Sequence, residues 1–167
     1  FTGLTIHPAS TDLKLKNAQV LVRRGKSQEA INALKKASEL ETNNFEYSAL
    51  MGVAWVQMGE VSKAKKYFDK AIKLSDSYDL EELFYTVGEA LERALSYSLA
   101  LQYYGKANKL FPKNPDFIFR MAYCFDQTGR FEQSIKFYNK FLDKNPFSEN
   151  AWYNIGIIYN KVEQYQR

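Results

Sequence analysis

Small residues recur through this chain at a fixed interval, and that interval constrains the fold more than any other feature. Ala18, Gly52, Gly88, Ala122 and Gly156 are separated by 34, 36, 34 and 34 residues. A second small column, Ala30, Ala64, Ala100 and Ser134, is spaced 34, 36 and 34. A third, Pro8, Thr42, Asp76, Pro112 and Pro146, runs 34, 34, 36 and 34. The three columns share one register and one two-residue insertion, near residues 78–80. A period of this length marks an array of supersecondary units, each too small to bury its own apolar faces and stable only when stacked on its neighbours.

Each unit reads as two helices. With 8 glycines and 4 prolines in 167 residues, few positions interrupt a helix. In the first helix the apolar residues fall at helical spacing: Met51, Gly52 and Trp55; Ile118, Met121, Ala122 and Phe125; Trp152, Ile155, Gly156 and Tyr159. Gly25, Gly59 and Gly129 mark the turn that follows, with Leu95 at that place in the third unit. The second helix carries stripes such as Ala64, Phe68 and Ala71, or Ala100, Tyr104 and Ala107. Pro112 and Pro146 close their units, because proline lacks the N–H that would continue a helix. Small columns have a direct physical reason: helices cross closely only where a side chain is nearly absent, and larger neighbours fill the flanking gaps. Lys14 and Asn17 stand at places where the first unit should be apolar, which puts its outer packing in question. Ser134 and Phe141 replace alanines and predict a locally wider crossing.

Trp152-x2-Ile155-Gly156-x2-Tyr159 resembles the opening of a tetratricopeptide repeat, and Gly129-x-Phe131-x2-Ser134-x3-Tyr138-x2-Phe141-x4-Pro146 resembles its second half. The resemblance implies an all-α fold, a right-handed α-solenoid of antiparallel helical hairpins. It places four repeats at 11–44, 45–78, 81–114 and 115–148, the first helix of a fifth at 149–167, and the tail of a preceding repeat at 1–10. The chain then reads as a piece of a longer array. The helix at 149–162 has an apolar face with no second helix to cover it, so self-association through it is expected.

A search for chemistry finds little. One histidine, His7, and one cysteine, Cys124, cannot assemble a His/Cys metal site by themselves, and a single cysteine excludes an intramolecular disulfide. Cys124 lies in the apolar stretch Met121–Phe125 and reads as a packing residue. Glu89 and Glu92 share a helix face but read as solvated charge, since a general acid needs a desolvated carboxyl group. No phosphate-binding glycine loop and no apolar run of membrane-spanning length occurs. No catalytic residue, metal or cofactor is assigned, and the chain does not read as an enzyme.

In the family it resembles, the first helices line an inner, concave surface. The residues opposite the packing stripe of each first helix carry a net charge of −2, against +4 for the chain, and the excess lysines sit largely on second helices. Nucleic acid needs cations along one track, so it is not the expected partner. Binding of nucleic acid by the outer lysines is the alternative reading, and a purely structural spacer a third. Along the inner rim Tyr85, Phe119 and Tyr153 form a column spaced 34 and 34, with Tyr123 and Ile157 one turn on from the last two. These rings either pack between neighbouring units or anchor a bound polypeptide. The binding reading takes Tyr85, Thr86, Glu89, Glu92, Phe119, Arg120, Tyr123, Tyr153, Asn154 and Ile157 as a groove for an apolar or aromatic segment. A basic residue of that segment would face Glu89 and Glu92, and Arg120 and Asn154 would bond its backbone. Some family members hold a C-terminal carboxylate with a Lys and Asn clamp on the first helix. Here those places hold Leu15 and Gln19, Ala49 and Val53, Tyr85 and Glu89, Phe119 and Tyr123, so the clamp is absent.

Overall fold

The computed structural model describes residues 8–40 and 43–165, and among these the regular structure is helical throughout. The helices are α1 (Pro8–Arg23), α2 (Ser27–Leu40), α3 (Phe45–Gln57), α4 (Val61–Leu74), α5 (Leu80–Arg93), α6 (Tyr97–Leu110), α7 (Asp116–Gln127), α8 (Phe131–Leu142) and α9 (Glu149–Tyr165). Residues 8–10, expected in the tail of a preceding repeat, instead open α1, where the missing N–H of Pro8 is harmless in a first helical turn. His7 and Thr42 lie outside the described residues. None of the described helices is long and apolar enough to cross a membrane.

Two compact units divide the chain, one extending to Ala90 and the other starting at Leu91. In the first, Leu15, Ala18 and Val22 of α1 pack with Ala30, Ile31, Leu34 and Ala37 of α2 and with Tyr47, Met51 and Ala54 of α3. Lys14 and Asn17 therefore do not spoil the packing of α1, whose buried positions are Leu15, Ala18 and Val22. In the second, Ile118 and Ala122 of α7, Tyr138, Phe141 and Leu142 of α8, and Ala151, Ile155 and Ile158 of α9 share one core.

The small columns do what close crossing requires. A Cβ on Gly52 would lie 2.3 Å from the Phe68 ring, so α3 accepts the aromatic residue of α4 only because that position is glycine. Where Ser134 replaces alanine, the side chain is fully buried and its hydroxyl donates to the Ala122 carbonyl at 2.7 Å. The crossing admits the serine because its polar group is satisfied on the facing helix.

Turns follow the sequence as closely. Gly25, Gly59 and Gly129 adopt φ of 71°, 78° and 71°, and Leu95 enters the same left-handed region at φ 55°. The two-residue insertion is built around Asp76, whose carboxylate accepts from the backbone N–H groups of Tyr78 and Asp79 at 2.9 and 3.1 Å.

Candidate functional site

Three of the ten proposed groove residues, Tyr85, Thr86 and Glu89, belong to the first unit; the other seven belong to the second.

In the first unit the first helices enclose a cleft of about 190 Å³. Its walls include Gln19 of α1, Glu46, Ala49 and Leu50 of α3, Asp79 just ahead of α5, and Glu82, Leu83 and Thr86 of α5. Ala49 and Leu83 are buried and form an apolar floor, while Glu46 and Glu82 are exposed at its rim. Although Glu46 is largely open to solvent, the partial desolvation of its carboxyl at the cleft wall first, then the nearby carboxylates of Asp79 and Asp12, push it above its ordinary range. Tyr85 and Glu89 are half-buried, and each is engaged with other groups of the fold.

In the second unit Glu92 is not the solvated charge its helix position suggests. Its side chain is 11% exposed and pairs with Arg120 Nη1 at 3.2 Å. The Cys124 thiol lies 3.8 Å from the same carboxylate and is fully buried. Burial and the Glu92 charge push this thiol far up, which leaves it protonated and poorly nucleophilic. Tyr104 is pushed up for the same two reasons. Arg120, expected to bond a partner's backbone, is thus committed to Glu92.

The aromatic column separates into packing and exposed members. Phe119 is half-buried, edge-on to Tyr138 and Phe141 with ring centroids 5.3 and 5.1 Å away. These two rings belong to the second helix of its own hairpin, and Phe119 packs against the core that α7, α8 and α9 share. Tyr123 meets Tyr97 edge-on at 6.1 Å. Tyr153 is different: the residue is 70% exposed. Asn154 donates from its amide to the Tyr138 hydroxyl at 2.9 Å, and Ile157 is half-buried one turn beyond Tyr153. On another face of α9, Trp152 and Tyr159 are exposed and Gly156 has open space at its Cβ position, whereas Ile155 of the same expected apolar stripe is buried in the core.

Sequence reasoning missed the ties that fasten one first helix to the next. Gln57 donates to the Val22 carbonyl at 3.0 Å, joining α3 to α1, and Lys161 grips both oxygens of Asp126 at 2.8 Å, joining α9 to α7. The signal was available in the same register. Gln57, Arg93, Gln127 and Lys161 form one column, and Val22, Val56, Glu92 and Asp126 form the column just ahead of it.

Helices paired in hairpins at a 34-residue period, with small residues at the crossings, define a helical-repeat protein of the kind that serves as a protein–protein interaction scaffold. Two sequence profiles of the tetratricopeptide repeat family match residues 15–79 and 93–155, and the chain belongs to that family. A TPR repeat-containing protein of Methanocaldococcus jannaschii is 29% identical over 133 residues, which are 79% of this chain and 23% of that protein. The photosystem I assembly protein Ycf3 of Prochlorococcus marinus is 30% identical over 95 residues, 55% of each chain. This chain thus spans about a quarter of the first relative and about half of the second. Among solved structures, YrrB, a TPR protein with an unusual peptide-binding site, is similar with a TM-score of 0.60 and 23% identity, over 90% of this chain and 76% of YrrB. MamA of Desulfovibrio magneticus is similar with a TM-score of 0.65 and 24% identity, over 93% and 87% of the two chains. At these identities the structural likeness establishes the fold, an all-α tetratricopeptide solenoid.

Proposed function

We propose that this chain holds a partner polypeptide against its first helices, with Tyr153 as the principal anchor in the second unit. The observation that carries this reading is the exposure of Tyr153. Ala151, Ile155 and Ile158 bind α9 to its neighbours, so the fold places no demand on the ring at position 153. An amphipathic ring held on a rigid helix loses little conformational entropy on binding and commonly forms an interface hot spot. Ile157 and Tyr123 extend the apolar surface, and Asn154 supplies a polar group beside it. Phe119 supports this surface from beneath and does not serve as an anchor itself. The segment that fits is apolar or aromatic. The peptide-binding site attributed to YrrB supports the reading at the level of the shared fold.

The test uses the partner captured from the source cells by the intact protein. Tyr153→Ala should weaken its affinity by about 2 kcal/mol, roughly 30-fold, while thermal unfolding is unchanged. Equal affinity for the variant and the parent protein would remove Tyr153 as the anchor.

A further inference from the structure

We infer that a cavity among α2, α3 and α4 binds a phosphate monoester group, carried by a phosphorylated side chain or present as free phosphate. The cavity belongs to the first unit and does not depend on the role of Tyr153. It measures about 160 Å³, below the roughly 300–1,000 Å³ of sites that enclose a whole small molecule, and suits one small group. Tyr47 and Ser48 of α3, both buried, line it together with Tyr67 of α4 and Asn44, the residue that caps α3. Lys35 of α2 and Lys70 of α4 complete it, and among the described residues no acidic side chain lines it.

Two cations from different helices thus share one cavity. Other lysines of α4 are answered by neighbouring acids: Lys63 pairs with Glu60 and Lys65 with Asp69. Among the described residues neither Lys35 nor Lys70 has such an acid. An anion in the cavity would neutralise both. Two positive charges match the charge of about −1.5 to −2 that a phosphate monoester carries near neutral pH, and exceed the single charge of a carboxylate or a diester. Hydroxyl and amide donors suit its three oxygens. Asn44 uses its Oδ1 to accept from the Tyr47 N–H at 3.1 Å, which leaves its amide N–H groups for another acceptor.

The repeat supplies a control within the same chain. Positions of α6, α7 and α8 that lie 70 residues further on are equivalent in register. There Phe117 stands for Tyr47, Ile118 for Ser48, Phe137 for Tyr67 and Gly105 for Lys35, while Asn114 and Lys140 repeat Asn44 and Lys70. Phe117 and Ile118 are as buried as Tyr47 and Ser48, and the Phe117 ring meets those of Tyr104 and Phe111. Apolar side chains therefore satisfy the packing of this three-helix junction. A buried hydroxyl carries a desolvation cost that an apolar side chain avoids, so packing alone does not call for hydroxyls at 47, 48 and 67. Their presence beside a second lysine, in the first unit and not at the equivalent place in the second, points to a ligand that accepts hydrogen bonds and carries negative charge.

The experiment follows amide chemical shifts of the isotopically labelled protein in phosphate-free buffer at about pH 7.5, well above the second phosphate pKa of about 6. N-acetyl-phosphoserine N-methylamide and inorganic phosphate are the probes. Dimethyl phosphate and N-acetyl-glutamate N-methylamide, each with a single negative charge, are the controls, and sodium chloride holds the ionic strength constant. Both probes should give saturable shifts at Lys35, Asn44, Ser48 and Lys70, with none at the equivalent Gly105, Asn114, Ile118 and Lys140. Tighter binding of phosphoserine would identify a phosphorylated side chain as the source, and equal or tighter binding of inorganic phosphate the free anion. The Lys35→Gln, Lys70→Gln double variant should weaken both probes at least about tenfold. Tyr67→Phe, which copies Phe137 of the second unit, should weaken them about threefold. Thermal unfolding checks that both variants remain folded. Absence of saturable shifts at the cavity, equal shifts at the second-unit residues, equal affinity for the singly charged controls, or unaltered affinity in either folded variant would overturn the inference.

Discussion

Leu95 makes the same turn that glycine makes elsewhere in the chain, and it does so at φ 55° in a residue 72% exposed. The hydrogen bonds explain why the conformation persists. Leu95 N–H bonds the Glu92 carbonyl at 2.9 Å and Ser96 N–H bonds the Leu91 carbonyl at 2.8 Å; Gly59 and Glu60 make the equivalent pair to Val56 and Trp55, both at 2.9 Å. This closure of a helix end requires a left-handed residue, which costs an L-amino acid with a Cβ roughly 1–2 kcal/mol. The exposed leucine side chain offsets little of that. Leu95→Gly should therefore stabilise the protein by about 0.5–1 kcal/mol, the greater freedom of glycine in the unfolded chain taking back part of the gain. Urea unfolding of the two proteins would show it as a raised midpoint at constant slope. The position was legible in the sequence as a departure from the glycine column. Glu92 was not. Its column gives its place along α5, but its burial depends on Arg120 reaching back 28 residues to meet it, and a linear pattern does not reveal which neighbour supplies the counter-charge.

At the scale of elements, hairpin pairing and register were readable because each rests on a periodic backbone demand: a small residue at a crossing, a left-handed residue at a turn. What joins successive first helices was less readable, since different chemistry occupies the same column in different units. Gln57 uses a neutral amide to bond a backbone carbonyl, whereas Lys161 uses its charge on Asp126, a side chain only 10% exposed. The latter pair fixes α9 on α7. Lys161→Met should cost about 1–3 kcal/mol, because it leaves a nearly buried carboxylate without its counter-ion. Adding Asp126→Leu should recover much of that loss, since an apolar pair of similar volume carries no desolvation penalty. A double-mutant cycle by chemical unfolding measures the coupling; strictly additive losses would show that the ion pair contributes nothing to holding α9.

For the molecule as a whole, charge distribution separates the two classes of macromolecular partner. The chain carries +4, but the sequence positions on the first-helix face sum to −2 and the cationic excess lies largely on second helices. There part of it is answered locally. Lys65 pairs with Asp69 and Lys63 with Glu60, both on the surface, and Lys63 also sits 4.6 Å from the centre of the Trp55 ring. On the first helices Arg120 and Lys161 are committed to Glu92 and Asp126. Phosphate binding draws its free energy from releasing counter-ions along a continuous cationic track, and paired lysines interleaved with acids contribute little of it. A fluorescent oligonucleotide, single-stranded or duplex, should therefore bind no more tightly than nonspecific complexes do, with Kd on the order of 10⁻⁴ M or weaker near physiological salt. The captured polypeptide partner should instead show a shallow dependence of log Kd on log salt. Submicromolar oligonucleotide binding with a steep salt slope would reverse this assignment and move the working surface from the first helices to the second, because only the lysines there are numerous enough to neutralise several phosphates at once.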